Sequence, residues 1–411
     1  MAQSATAVGQ VVFRFAFHTY NYLMETRMKT KSPNTVLRRS AALASLAAMI
    51  FGASTAHAQS SVTLYGILST GVGWVSNVGG HSAVQMLSGT MQNNRWGLRG
   101  VEDLGGGLSA LFVLENGFDI TNGKIQQGGR MFGRQAYVGL GGRSWGTITM
   151  GRQYDIPFDY LDRFEAPVAS LGLAAHIGDN DNVFGSYRYN NSIKYQSPTI
   201  NGLRGSVMYA MSNAAGQWAV NRSVSAGVAY DNGPLKLALV GLNTNYPGPT
   251  PNPNGAVTDD YIGPPFLLFH TSPIHPNVGV SRQREFGGAA QYSFSKVRLT
   301  GMVTDVRYDY LDHTSLHLDN YDVNATYDLT PFIVLGAAYV YTNGQYGGGI
   351  DAAPHWNMGQ VSVDYLLSKR TNVYVFANYQ RATGAKAVTY LLAPSSNGNQ
   401  TVVVAGIRHL F

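Results

Sequence analysis

Downstream of Gln59, side-chain polarity alternates with period two over almost the whole remaining chain. In Tyr321–Leu329, the residues Tyr321, Val323, Ala325, Tyr327 and Leu329 share one side, and Asp322, Asn324, Thr326 and Asp328 share the other. Gln360–Tyr365 and Gly288–Phe294 repeat the scheme. Successive side chains of a strand point to opposite faces, so each segment has one apolar and one polar face. A soluble sandwich alternates in the same way. Three features favour a membrane barrel instead. The strands approach the roughly ten residues that a tilted crossing needs. Tyrosines recur towards their ends, at Tyr65, Tyr195, Tyr209, Tyr230, Tyr292, Tyr327, Tyr339, Tyr365 and Tyr379, as interfacial girdles require. Short turns such as Asp231–Pro234 and Ser368–Arg370 alternate with long connections, Gln153–Tyr189 and Asn245–Gln283.

The pattern places strand cores at 61–75, 94–103, 108–119, 130–141, 145–154, 190–199, 203–213, 222–231, 235–245, 284–296, 298–310, 318–329, 332–343, 358–367, 371–382 and 401–411. The fold class is therefore all-β, a sixteen-stranded antiparallel transmembrane barrel. An even count returns the last strand to the first. Closure is physically required, because an unpaired edge in lipid leaves backbone groups without water, each costing several kcal/mol. The chain has 48 Gly, 25 Tyr and no Cys, so backbone pairing has to hold the fold without disulfides. No internal stretch reaches the about eighteen apolar residues of a membrane helix.

The N-terminus reads as an address. Met28–Lys31 and Arg38–Arg39 form a basic region, Ala41–Ala53 an apolar run, and Ala56-His57-Ala58 a small-residue cleavage site. The run is too short for a membrane span and has no polar face for an amphipathic helix, which makes 28–58 a secretory signal cut between Ala58 and Gln59. Residues 1–27 precede a complete signal and fit a start codon assigned too early. The barrel is then 59–411. The formal charge of +6 belongs mainly to this leader: residues 1–58 hold six basic residues against Glu25, leaving 23 basic and 22 acidic residues in the body. A near-neutral body gives no nucleic-acid footprint. No nucleophile elbow, HExxH or P-loop is present, no cofactor is implied, and His270 and His275 sit in a Pro-rich connection where solvated histidines are the commoner outcome.

Several segments resemble the general porins of Gram-negative outer membranes, most closely the β-proteobacterial type. They are SVTLYG at Ser61–Gly66, NRWGLRGVEDLGG at Asn94–Gly106, GRQAYVGL at Gly133–Leu140, GTITMGRQY at Gly146–Tyr154, NSIKY at Asn191–Tyr195 and GIRHLF at Gly406–Phe411. They run in the family order across the mature chain. The resemblance implies a homotrimer in outer-membrane lipid that passes ions and small hydrophilic solutes, with the third outer loop folded inward. A terminal Phe411 after an alternating strand is similar to the family's signal for the barrel-insertion machinery.

The same resemblance gives a constriction. Arg95 and Arg134 match basic wall positions, and Arg99 shares the face of Arg95 because it lies four residues on. Arg188 ends the long loop and is a third wall candidate. Glu115 matches an acidic wall residue. On the loop, Glu165 matches the acidic tip, with Asp159 and Asp162 as neighbours. Opposed charges across a wet gap set a transverse field and bias ion choice. The competing reading for each arginine is an exposed charge or a subunit salt bridge; lipid-facing charge costs about 2–4 kcal/mol at mid-bilayer, which favours the pore for Arg95 and Arg134. Arg152 is assigned to loop packing or subunit contact. A substrate-selective channel would use an aromatic row, and none is evident. A barrel enzyme would need a Ser/His or Asp/His pair at one rim.

Overall fold

The structure is a computed structural model that describes residues 61–261 and 267–411. The upstream extension, the signal and its cleavage at Ala58 and Gln59 lie outside the described residues. Seventeen strands follow one another: β1 Ser61–Val78, β2 His81–Ser88, β3 Arg95–Gly105, β4 Leu108–Gly117, β5 Gln135–Gly142, β6 Gly146–Gln153, β7 Tyr189–Gln196, β8 Leu203–Ala210, β9 Arg222–Asn232, β10 Leu235–Asn245, β11 Val280–Phe294, β12 Val297–Tyr310, β13 Ser315–Asp328, β14 Ile333–Gly347, β15 His355–Leu366, β16 Thr371–Thr383 and β17 Asn399–Leu410. A single α-helix, α1 (Ile156–Leu161), and three short 3-10 turns occupy the β6–β7 connection.

Every neighbouring pair is antiparallel, and β1 closes on β17 from Ile67↔Leu410 to Val75↔Val402. The barrel is sixteen strands around. The extra strand β2 continues β3 along the same edge of β1: β3 pairs with Ser61–Ile67 and β2 with Thr70–Val78. Between them, Gly89–Asn94 bulges inward. Thr90 and Met91 are buried, Met91 packs with Leu173 and Phe376, and Thr90 hydrogen-bonds Tyr374. The expected strand at 94–103 was thus one half of an interrupted strand. The expected strand 130–141 starts later, at Gln135, which leaves Arg134 in the approach to β5.

The alternation sorts into lipid and lumen as the period requires. Tyr321, Val323 and Tyr327 are exposed, whereas Asp322, Asn324 and Thr326 are buried. Tyr292, Tyr339, Tyr365 and Tyr379 are exposed on the outer face. Tyr65 is an exception to the expected girdle. It points inward, where its hydroxyl donates to Glu115 Oε2 at 3.0 Å.

At the seam, the Phe411 amide donates to the Gly66 carbonyl at 3.1 Å, and the Gly66 amide donates to the Phe411 carbonyl at 3.0 Å. A Cβ at Gly66 would lie 2.3 Å from the Phe411 ring, so only glycine admits this close approach. Deleting Phe411 removes the last backbone pair at the seam. The expected outcome is a loss of folded, heat-resistant barrel in the membrane fraction, read by gel mobility; Phe411→Tyr, which keeps the backbone and the ring, retains it.

Candidate functional site: the pore constriction

Lumen-facing parity places Arg95, Gly97 and Arg99 of β3 opposite Ile67, Tyr65 and Thr63 of β1. Gly97 also faces Glu115 of β4. A Cβ at Gly97 would come within 2.9 Å of the Tyr65 ring and hydroxyl, so the glycine opens the path from Tyr65 to Glu115. The second Glu115 oxygen accepts from Arg134 Nε at 2.8 Å, and both side chains are almost wholly buried. Arg134 then reaches Tyr154 Oη at 2.5 Å, and Arg188 reaches the same oxygen at 2.5 Å from the other end of the loop. The Arg188 guanidinium lies 4.5 Å over the Tyr154 ring. Burial draws it down to about 10, which leaves it charged at neutral pH. Tyr154 itself is stacked on Phe158, with ring centroids 3.6 Å apart.

The loop between β6 and β7 crosses the lumen because its sequence can hold itself against the wall. Asp155 caps α1 by accepting from the Phe158 amide at 2.9 Å, and Pro157 fits the first turn, where its missing N–H costs nothing. Gly227 of β9 leaves room for the helix; a Cβ there would meet Ile156 and Tyr160 within 2.9 Å. Asp159 pairs with Lys194 Nζ at 2.5 Å, and Arg163 with Asp231 at 2.7 Å. Further along, Asp322 of β13 accepts from the Ala166 amide at 2.9 Å, and Asn324 donates to the Phe164 carbonyl at 2.9 Å. Asn180 and Asp181 anchor to Asn320 and Thr304.

Parity puts Arg95 and Arg99 on the inner face of β3, Arg134 and Arg188 are buried and meet at the Tyr154 hydroxyl, and Glu115 is the buried counter-ion of Arg134. Asp162 is half-exposed and adds an attractive charge at Arg95 across the gap. Asp159 is on the loop but is tied to Lys194. The expectation for Glu165 is corrected. It is completely buried behind the loop, with its Oε2 unpartnered, and faces Asp179, Asp181 and Asp322 rather than water. The loop turns at Glu165 so that Ala166 can reach Asp322, and that turn carries the carboxyl to the wall side. Arg152 serves loop packing: it donates to Asn190 at 2.6 Å and to Asp259 at 2.6 Å.

Sequence reading missed Lys194, Arg204 and Arg408, all on the lumen parity of their strands. Arg204 lies 5.3 Å from the Tyr160 ring and 3.7 Å from Asp231. Arg408 donates to Asn372 at 2.9 Å and to Gln92 at 3.0 Å. Each has an outward apolar residue beside it, Ile193 and Tyr195 around Lys194, Leu203 before Arg204 and Ile407 before Arg408, so the period-two pattern carried the signal.

Above the constriction, a vestibule of about 580 Å³ is lined by Arg134, Ser186, Arg188, Asp259, Asp260 and Tyr390, among others. A profile of the Gram-negative porin family matches residues 42–385. The chain belongs to that family. An outer membrane porin protein of Bordetella pertussis is 31% identical over 412 residues, covering 89% of this chain and 98% of the relative. Outer membrane porin protein 32 of Delftia acidovorans is 28% identical, covering 89% and 98%. Among solved structures, an anion-selective porin from Comamonas acidovorans superposes with a TM-score of 0.69 at 24% identity, covering 86% of this chain and 100% of that one. OmpT of Vibrio cholerae in its trimer form gives 0.62 at 14% identity, covering 86% and 99%. This porin is an outer-membrane channel for ions and small hydrophilic solutes.

The loop acids of the porin make its seating pH-dependent. Burial and the neighbouring Asp181 push Asp179 up to about 8 from 3.8. Burial raises Asp155 to about 7, and burial beside Asp179 holds Glu165 well above the usual carboxylate range. His176 is raised by its 2.6 Å contact with Asp181, against the opposing effect of burial. In each case the seated loop binds the proton more tightly than the unfolded chain. Stability therefore falls as pH rises through the window between the unfolded and folded values, 3.8 to about 8 for Asp179. Open-channel current noise is expected to grow between pH 6 and pH 9, and Asp179→Asn should flatten the alkaline part of that rise.

Proposed function

We propose that this porin is a passive diffusion channel that favours small anions and works as a homotrimer in outer-membrane lipid. Among the described residues, no carboxylate oxygen lies within 4.0 Å of Arg95, Arg99 or Arg408. That imbalance carries the reading. The loop acids that could offset it are buried, as Glu165, Asp179 and Asp181 are, or paired, as Asp159 is. In this reading Arg95, Arg99, Arg134 and Arg188 form the basic wall, Glu115 fixes Arg134, and Asp162 and Asp159 edge the gap. Phe411 is the mark read by the insertion machinery. The anion-selective porin and the trimeric OmpT described above have the same fold, which is consistent with both parts of the reading.

Liposome swelling tests it. Vesicles containing the folded porin should admit a small monocarboxylate faster than an amine of equal size, with a neutral sugar between them. Equal rates for anion and amine, or faster entry of the amine, would contradict the anion preference.

A further inference from the structure

The connection between β10 and β11 also folds into the barrel, and one side chain organises it. Asn221, just before β9, donates through Nδ2 to the carbonyls of Gly248 and Asn252 at 2.9 Å and of Val257 at 2.8 Å, and its Oδ1 accepts from the Val257 amide at 2.8 Å. A Cβ at Gly255 would lie 2.4 Å from the Asn221 side chain, so glycine admits this seat. Ala256 and Val257 are wholly buried, and the Asn190 amide donates to the Ala256 carbonyl at 2.8 Å. On the far side, Asp260 accepts from the Tyr261 and Phe269 amides at 2.7 and 3.1 Å and meets His270 Nδ1 at 2.6 Å. Asp259 is thus held between two pinned neighbours, and it lies on the vestibule wall.

Two guanidiniums close on the Asp259 carboxylate. Arg130, from the β4–β5 connection, meets Oδ1 at 2.6 Å, and Arg152, at the end of β6, meets Oδ2 at 2.6 Å. Neutral acceptors hold both arginines in place independently of Asp259. Arg130 donates to the Gln127 carbonyl at 2.7 Å and to Thr258 Oγ1 at 3.2 Å, and Arg152 donates to the Gly133 carbonyl at 2.8 Å and to Asn190 Oδ1 at 2.6 Å. One oxygen to each arginine is how two cations would grip a free carboxylate, through short, charge-assisted hydrogen bonds. We propose that Arg130 and Arg152 form a carboxylate-binding site in the vestibule, that the chain fills it with its own Asp259, and that Asp259 thereby determines how tightly a permeating anion is held there. An anion gripped by both guanidiniums would leave slowly, and conduction needs binding weak enough for release. The tethered carboxylate keeps the site occupied, so a passing anion meets one net positive charge rather than two open guanidiniums.

The test compares the wild-type porin with D259N in planar bilayers, since Asn keeps the size of the side chain and removes its charge. D259N should raise the chloride-to-potassium permeability ratio by about threefold or more, read from the zero-current potential in a KCl gradient. Malonate added on the outer side should halve the D259N current at a concentration at least about tenfold below that needed for the wild type, because the freed guanidiniums bind a carboxylate through charge-assisted bonds. The shift is measured against the wild type's own potential, so it tests the site whichever ion the wild type prefers. R130Q/D259N restores the net charge of the trio and should bring both readings back close to the wild type. Unchanged selectivity or unchanged malonate sensitivity in a D259N barrel with heat-resistant gel mobility would overturn the proposal. So would a double variant that behaves like D259N, since Asp259 would then act only through the seating of its loop. Should D259N yield no folded barrel, R130Q decides alone: its potential should move towards potassium, and no movement would overturn the site.

Discussion

Replacing Arg95 and Arg99 together by alanine is expected to move the zero-current potential of this porin, measured across a KCl gradient, clearly towards cations. Both side chains lie on the lumen parity of β3, and neither has an acid within ion-pair distance among the described residues. Arg99 rests 5.4 Å from the Tyr65 ring, and Arg95 donates to the Asn93 carbonyl at 3.1 Å. Their charges are available to the permeating ion. A unit charge about 4 Å from an ion is worth about 1 kcal/mol in bulk water, so removing one should disfavour the anion roughly fivefold and favour the cation roughly fivefold, which changes their permeability ratio by up to roughly thirtyfold, and removing two by more. The same substitutions should leave the unfolding temperature nearly unchanged, because no buried partner is orphaned. Ion preference that stays the same in the double variant would remove the wall from the account.

Arg134→Ala should act in the opposite way, mainly on stability. Its guanidinium and the Glu115 carboxylate are only 2% and 4% exposed. Breaking a buried pair by removing one partner costs about 3–5 kcal/mol, because the remaining charge is left without compensation. The variant also releases Tyr154 from one of its two arginines, so the loop loses a tie at its first residue. The expected result is a much lower unfolding temperature and noisier open-channel current. Adding Glu115→Gln should recover a large part of the stability, since Gln can still accept from Tyr65 and buries no charge. If the single variant unfolds like the wild type, the Glu115–Arg134 pair is not holding the constriction.

The two substitutions show what sequence could and could not reveal. Arg95 came from the family resemblance and Arg99 from strand parity, which fixes the direction of a side chain once one neighbour is placed. The same parity carried Lys194 and Arg408, which lie on strands where attention to charge alone found nothing. Parity fails outside strands. Glu165 reads as an exposed acid at a loop tip, yet the loop's contact with Asp322 turns it to the wall, and no local pattern encodes that turn. Strand β2 shows the converse limit: His81–Ser88 does alternate, but it is short and bounded by Gly79-Gly80 and Gly89, so it reads as part of a loop until β1 is seen to extend to Val78. Phe411 was legible as a patterned end, and the structure adds its close seat against Gly66.

The most direct test of the central claim is the zero-current potential of the wild-type porin in a planar bilayer under a KCl gradient. A lumen whose arginines outnumber its available acids predicts stepwise conductance and a potential of the sign set by chloride passing more readily than potassium. A potential of the opposite sign, or none, would contradict the account.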